Sequence, residues 1–150
     1  MVLVEPQIPP NTGNVARLCA ATGCALHLVE PLGFSLDDRE LKRAGLDYWS
    51  AVDVTVHASL EAFLAGWRAP LWLFSTRATR RYDGVSFALG DALVFGKETA
   101  GLPAALLASH PQSTLRLPMR EDAVRSLNLS TTTGIAVYAA LAQLGFPGLH

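Results

Sequence analysis

The sequence lacks several features that would place it in a common class of proteins. Its longest apolar run, Ile135 to Ala142, falls well short of the ~18 residues of a membrane span. Its first residues have no basic segment leading into a hydrophobic stretch, so they do not resemble a secretory signal. There are two cysteines, Cys19 and Cys24, with no partners at metal-binding spacing. We therefore expect a cytoplasmic protein with two buried, reduced thiols.

Charge is also scarce. Charged residues make up 17% of the chain, the formal net charge is −1 and the isoelectric point is about 6.4. A protein that coats nucleic acid without regard to sequence usually has an isoelectric point above about 9, so this class of protein is disfavoured. A site-specific RNA enzyme needs only a local basic patch and stays open. Half of the residues are hydrophobic, which argues against disorder.

Both common nucleotide-binding motifs are missing. A dinucleotide-binding chain would carry G-x-G-x-x-G after its first strand, but residues 7–14 contain only Gly13. The segment from Gly96 to Gly101 has the outer glycine spacing of a phosphate loop. It is followed by Leu102-Pro103, where Lys and Ser or Thr would be required. A kinase or a dehydrogenase is therefore disfavoured.

What the sequence does contain is an alternation of short apolar runs with helical patterns. The predicted strands cover residues 2–4, 26–29, 52–56, 71–74, 92–95 and 114–117. Five helices are predicted. The first is capped by Asn11 or Thr12 and closed by Gly23, and the second runs from Asp37 to near Gly45. The third starts at Ser59, the fourth holds Pro103 in its first turn, and the fifth runs from Ser130 to Leu144. This order predicts one α/β domain over residues 1–150. We expect a mostly parallel sheet of about six strands, helices on both faces, and ligands at the carboxyl ends of the strands.

Three short motifs accompany this pattern. Asn11 is followed six residues later by Arg17; Gly96, Glu98, Gly101, Leu102 and Pro103 form G-x-E-x-x-G-L-P; and residues 126–130 read S-L-N-x-S. In this order and spacing they resemble the SPOUT superfamily of RNA methyltransferases. Residues 5–14, 30–34, 43–48 and 143–148 further resemble its TrmL (YibK-type) branch, so the resemblance covers essentially the whole chain.

The resemblance implies both a fold and an activity. In this family the C-terminal strands and loops form a deep trefoil knot. The branch uses S-adenosyl-L-methionine to methylate the 2'-hydroxyl of the wobble cytidine or uridine in certain leucine tRNAs, leaving S-adenosyl-L-homocysteine. It acts on the anticodon stem-loop as a homodimer, without DNA, a membrane or a metal. Two alternatives stay open: a SPOUT 2'-O-methyltransferase with another tRNA or rRNA target, and a non-catalytic RNA-binding module.

The resemblance also assigns site residues. The implied cofactor-binding residues are Phe74, Gly96, Leu117, Ser126 and Leu127. The implied catalytic residues are Asn11, Arg17, Glu98, Ser126 and Asn128. Because the free base of an arginine is scarce at neutral pH, we expect Arg17 to fix a phosphate and to stabilise the developing alkoxide. The other four would orient the ribose and Arg17.

Ordinary structural roles for some of these residues stay open. Glu98 could cap the helix that starts near Pro103, and Ser126 and Asn128 could serve the start of the last helix. Tyr48 and Trp49 could stack on a base or belong to the core or a dimer interface. The last helix is apolar nearly all round, which suits either the core or a dimer seam. The basic residues that could contact RNA or be solvated are Arg39, Lys42, Arg43, Arg77, Arg80, Arg81, Arg116, Arg120 and Arg125. The histidines, His27, His57, His110 and His150, form no evident cluster in the sequence.

Overall fold

The computed structural model contains one sheet with helices on its two faces. It describes residues 1–37, 39, 43, 48–120 and 122–150. The strands are β1 (Val2–Val4), β2 (Leu26–Val29), β3 (Val54–His57), β4 (Leu71–Phe74), β5 (Arg80–Arg81), β6 (Ala92–Phe95) and β7 (Thr114–Arg116). The helices within the described ranges are α1 (Pro9–Thr22), α2 (Leu60–Gly66), α3 (Ala104–Ser109) and α4 (Leu129–Gln143).

The strands follow the order β3-β2-β1-β6-β4-β7-β5, and each pair of neighbours is parallel. The predicted parallel α/β architecture is therefore confirmed. The sheet has seven strands rather than about six, because the short strand Arg80–Arg81 carries no apolar pattern that the sequence could show. The trefoil knot that the resemblance implies stays a prediction.

Both faces of the sheet are covered, and β1 shows how. Leu3 packs into a core with Val15 of α1 and Val137 of α4. Its neighbours Val2 and Val4 pack on the opposite face with Phe63 and Leu106. Successive side chains of a strand point to opposite faces, so a strand buried on both sides reads as a continuous apolar run.

The helix ends confirm part of the sequence reading and correct the rest. Gly23 closes α1 with a left-handed φ of 70°, and Ser59 caps α2 by accepting a hydrogen bond from the backbone N–H of Ala62. The prediction that Asn11 or Thr12 caps α1 is wrong. The helix begins at Pro9 after Ile8, because proline lacks the N–H that the first helical turn leaves unpaired.

Smaller shifts affect other boundaries. Strand β3 covers Val54–His57 rather than residues 52–56, and β7 ends at Arg116, one residue before Leu117. Pro103 lies just before α3 rather than inside its first turn. The helix predicted between Asp37 and Gly45 lies largely outside the described residues.

The histidines correct another expectation, since His27 and His57 do form a cluster. Nδ1 of His27 lies 3.0 Å from Nε2 of His57, and both rings contact Phe63, with Trp67 at the edge of His27. The parallel register of β2 and β3 places the two histidines on one face. Burial lowers the pKa of His27, and the positive N-terminus of Met1 and His57 lower it further.

The two thiols are separate. Cys19 is buried and Cys24 is only partly buried, so the expectation of two buried thiols holds for Cys19 alone. Burial raises the pKa of Cys19 to about 12.

In the described ranges, no helix has the length and hydrophobicity needed to cross a membrane. The same residues include no group of three or more His, Cys, Asp or Glu side chains suited to hold a metal ion.

Candidate active site

A cavity of about 300 Å³ lies at the carboxyl ends of β4, β6 and β7. Five late parts of the chain line it: residues 74–77, residues 95–102, Leu107 of α3, Leu117 and Met119 just after β7, and five of the residues between 125 and 132. The structure places all five residues predicted to bind the cofactor at this cavity, namely Phe74, Gly96, Leu117, Ser126 and Leu127. Ligands of open parallel sheets bind at this edge.

Two stacked aromatic rings form an apolar part of the lining. The rings of Phe74 and Phe95 lie 4.8 Å apart between centroids and 17° from parallel. Both side chains are at least nine-tenths buried. Leu117 and Leu129 add aliphatic surface, while Ser75 and Thr76 add polar groups. A wall of this kind suits a ligand with a flat apolar ring and polar edges. Phe95 was missed, although it ends an entirely apolar strand.

The loop after β6 folds tightly on itself and requires glycine at its start. A Cβ atom on Gly96 would lie 2.1 Å from the carbonyl carbon of Gly101 and 2.2 Å from the nitrogen of Leu102. Gly101 has a φ of 70° and donates its N–H to the carbonyl of Lys97 over 2.8 Å. The outer glycines of the second motif thus fix the shape of the loop rather than bind phosphate.

Glu98, between these glycines, caps a helix distant in sequence. Its carboxylate accepts hydrogen bonds from the backbone N–H groups of Gln7 (2.9 Å) and Ile8 (3.1 Å), where α1 begins, and from Nδ2 of Asn11 (3.1 Å). A negative charge is stabilised there by the unpaired N–H groups and by the helix dipole. The alternative that Glu98 caps the helix near Pro103 is therefore wrong. Glu98 does cap a helix, but that helix is α1.

The third motif joins the same network. Nδ2 of Asn128 donates to Oδ1 of Asn11 over 2.9 Å, while Oδ1 of Asn128 accepts from the N–H groups of Ser130 and Thr131. Asn128 is therefore the N-cap of α4, as its structural alternative supposed. Ser126 lines the cavity instead. The hydrogen bonds Glu98–Asn11–Asn128 connect all three motifs.

Two further contacts hold the second motif to the segment that follows β1. Nζ of Lys97 lies 2.6 Å from Oε2 of Glu5, and Oγ1 of Thr99 donates to Oε1 of Gln7 over 2.6 Å. Sequence reasoning missed both contacts. They arise because β6 pairs with β1, which brings the two following loops together across 92 positions of the chain.

The structure does not bring Arg17 to the cavity of its own chain. Arg17 is exposed, and its guanidinium carbon lies 5.1 Å from the centre of the Tyr48 ring, a cation–π geometry. Six residues of helix separate it from Asn11 by about 9 Å. Trp49 is partly buried against the core, which favours a structural role over stacking on an RNA base. Lys42 lies outside the described residues.

Comparison with known proteins gives relatives along the whole chain. A tRNA (cytidine(34)-2'-O)-methyltransferase from Saccharophagus degradans is 52% identical over 99% of this chain and 97% of its own length. A structure concerning 2-OH methylation of C/U34 on tRNA is 49% identical, with a TM-score of 0.91, over 96% of this chain and 94% of the other.

A more distant neighbour is an AdoMet-bound rRNA methyltransferase from Sinorhizobium meliloti. It is 26% identical with a TM-score of 0.84, and the match covers 95% of this chain and 55% of the other. The SpoU rRNA Methylase family matches residues 1–138, which include all three motifs. On this match, and on the relatives that span its length, the chain belongs to the SpoU rRNA Methylase family.

Proposed function

We propose that this chain transfers the methyl group of S-adenosyl-L-methionine to the 2'-hydroxyl of the wobble cytidine or uridine in leucine tRNAs. The observation that carries the proposal is that the second and third motifs line one cavity and are both hydrogen-bonded to Asn11 of the first motif. The chain is also about half identical to a relative named for that activity at cytidine 34. The anticodon stem-loop is the part of the tRNA that the enzyme would hold, in the cytoplasm. Residues 1–150 would act as one domain.

The residues at the cavity fit the cofactor. The stacked pair Phe74 and Phe95 offers an apolar surface to the adenine, and the loops around it offer backbone N–H and carbonyl groups to the adenine edge. A related structure with 26% identity binds AdoMet on this fold. When bound, the cofactor supplies an electrophilic methyl group on a positively charged sulfur.

The protein's task is then mostly alignment. The attacking oxygen, the methyl carbon and the sulfur must lie near a line, and such positioning is worth roughly 7–11 kcal/mol of a barrier. Ser126 lines the cavity and would contact the reacting groups. Glu98, Asn11 and Asn128 would act as positioning residues, since they tie the loop of the second motif to α1 and α4.

Arg17 would reach the reaction from a second copy of the chain. It is absent from the lining of its own cavity, and it lies on α1, which packs against α4. Helix α4 and its C-terminal extension expose Ile135, Tyr138 and Phe146, an apolar surface suited to a dimer seam. A two-fold dimer would bury this surface and present each Arg17 to the other chain's cavity.

The charged guanidinium would hold the phosphate beside the target ribose and stabilise the alkoxide that forms. The test is incorporation of labelled methyl groups into bulk tRNA. We expect Arg17→Ala to abolish transfer and Arg17→Lys to retain a measurable part of it. Arg68→Ala is the matched control, since Arg68 is an exposed residue bonded to the carbonyl of Ala65, and it should transfer normally. Equal loss in Arg17→Lys and Arg17→Ala would show that only a guanidinium serves.

Mixing two inactive variants tests the contribution of the second copy. Arg17→Ala keeps an intact cavity, while Gly96→Ala distorts the cavity and keeps Arg17. Mixed dimers would contain one complete site if Arg17 acts across the interface, so activity should partly return. No recovery on mixing, although mixed dimers form, would contradict a site shared between two copies. A wild-type chain that transfers no methyl group to any RNA would instead favour a non-catalytic module.

A further inference from the structure

Two arginines at the mouth of the cofactor cavity differ from the other arginines near it. Arg77 and Arg125 both line the cavity and are exposed. Within the described part of the chain, neither guanidinium has a hydrogen-bond acceptor or an acidic partner. Their neighbours in sequence do have partners: Arg80 donates to the carbonyl of Gln112, Arg81 pairs with Asp83, Arg120 pairs with Asp122, and Arg116 is also engaged.

We propose that Arg77 and Arg125 bind the two RNA phosphates that flank the target ribose; this assignment rests on the proposed function. Guanidinium groups bind phosphate through paired N–H donors, and a partner-free arginine at the mouth of a site is ready to do so. The two residues come from different segments, Arg77 from the loop after β4 and Arg125 from the residue before the third motif. The two segments approach the cavity together because β4 pairs with β7.

The charges at the cavity favour phosphate over the cofactor's own carboxylate. Lys97 is neutralised by Glu5, and the carboxylate of Glu98 is occupied by the start of α1. S-adenosyl-L-methionine carries a sulfonium, an ammonium and one carboxylate, so it adds a net positive charge beside the two guanidiniums. A nucleotide within an RNA chain brings a phosphate on each side. The two negative charges of these phosphates balance the positive charges of Arg77 and Arg125. Without them, the two guanidiniums and the positively charged cofactor would repel one another at short range.

A second feature distinguishes Arg77. It also lines a neighbouring cavity of about 280 Å³ that is bounded by Glu5 and Lys97 and by the loop from Ala100 to Ala104. Arg77 thus lines both the cofactor cavity and this neighbouring cavity. A phosphate on Arg77 would mark the path by which the RNA backbone leaves the site.

The experiment measures binding of a leucine tRNA to the full chain at several salt concentrations, with S-adenosyl-L-homocysteine present to fill the cavity without turnover. The variants are Arg77→Gln, Arg125→Gln and the double substitution. Arg81→Gln and Arg120→Gln are matched controls. Each removes the same charge from an arginine that already has an acidic partner, and each lies within five residues of Arg77 or Arg125. The affinity for S-adenosyl-L-homocysteine and the thermal midpoint are measured for every variant.

We expect each cavity variant to weaken tRNA binding about ten-fold. Loss of one phosphate contact should also reduce the slope of log K against log salt by about 0.7, and the double variant should lose about twice that. The controls should keep the wild-type slope, and all variants should keep the wild-type affinity for S-adenosyl-L-homocysteine.

The outcomes separate this inference from the proposed function. An unchanged salt slope in both cavity variants, with methyl transfer by the wild type intact, would overturn the inference alone. Weaker cofactor binding with an unchanged salt slope would also overturn it, by assigning the arginine to the cofactor's carboxylate. A reduced slope in a protein that transfers no methyl group would support phosphate binding and sink the proposed function.

Discussion

The carboxylate of Glu98 holds α1 against the loop of the second motif, and Glu98→Gln tests that role. Three donors converge on the carboxylate: the backbone N–H groups of Gln7 and Ile8 and the side-chain amide of Asn11. Glutamine keeps the shape of the side chain but has no charge, and its amide nitrogen cannot accept a hydrogen bond. At least one of the three donors therefore loses its acceptor.

The size of the effect follows from the kind of contact. A hydrogen bond to a charged group contributes about 1.5–3 kcal/mol, and loss of an N-cap costs about 0.5–2 kcal/mol. Glu98 is partly exposed, so water replaces part of what is lost. We expect Glu98→Gln to lower the free energy of unfolding by about 1–2 kcal/mol. For a chain of this length the melting temperature should fall by about 2–8 °C.

Urea and thermal unfolding without cofactor measure this change directly. The matched control is Glu30→Gln, which removes the same charge from an exposed side chain that makes no hydrogen bond or ion pair with the described residues. That control should leave the unfolding midpoint unchanged. A Glu98→Gln chain as stable as the wild type would refute the capping role. If such a chain were stable but inactive, Glu98 would act on the reacting groups themselves.

Two further predictions follow from single residues. Gly96→Ala places a Cβ atom against the backbone of Gly101. Calorimetry should therefore show cofactor affinity lowered by about ten-fold or more. The control is Gly134→Ala on α4, where an added Cβ has open space, and this variant should bind the cofactor normally. Because the pKa of His27 is lowered in the folded chain, the unfolded chain takes up the proton first as pH falls. Stability should therefore decline below about pH 6.5, by at most about 1.4 kcal/mol per unit from this group. Urea midpoints at pH 7.5 and 5.5 should differ less in His27→Gln than in the wild type, and equal differences would contradict this cause.

The elements that the sequence predicted are those with local signals. The apolar runs at 71–74 and 92–95 are strands in the structure, and Gly23 and Ser59 end and begin helices as expected. Each of these signals depends on residues within a few positions of one another. The two errors at element level are also local. Proline at the first two helical positions hid the start of α1, and Arg80–Arg81 pairs along β7 without any apolar pattern.

The pairing of distant residues could not be predicted in the same way. Glu98 meets Gln7 across 91 positions, and His27 meets His57 across 30. Both contacts depend on which strands are neighbours, and no periodicity within one segment carries that information. The resemblance placed five cofactor residues that indeed line one cavity. It could not show where Arg17 acts, because Arg17 does not line the cavity of its own chain.

Identification of the methylated nucleotide tests the account most directly. The wild-type chain is incubated with S-adenosyl-L-methionine and single, purified leucine tRNAs under single-turnover conditions, and the digested RNA is examined by mass spectrometry. We expect one added methyl group on the 2'-oxygen of nucleotide 34, and none with Arg17→Ala. A methyl group on a base or at another nucleotide, or an unmodified tRNA despite a cofactor-loaded cavity, would contradict the account.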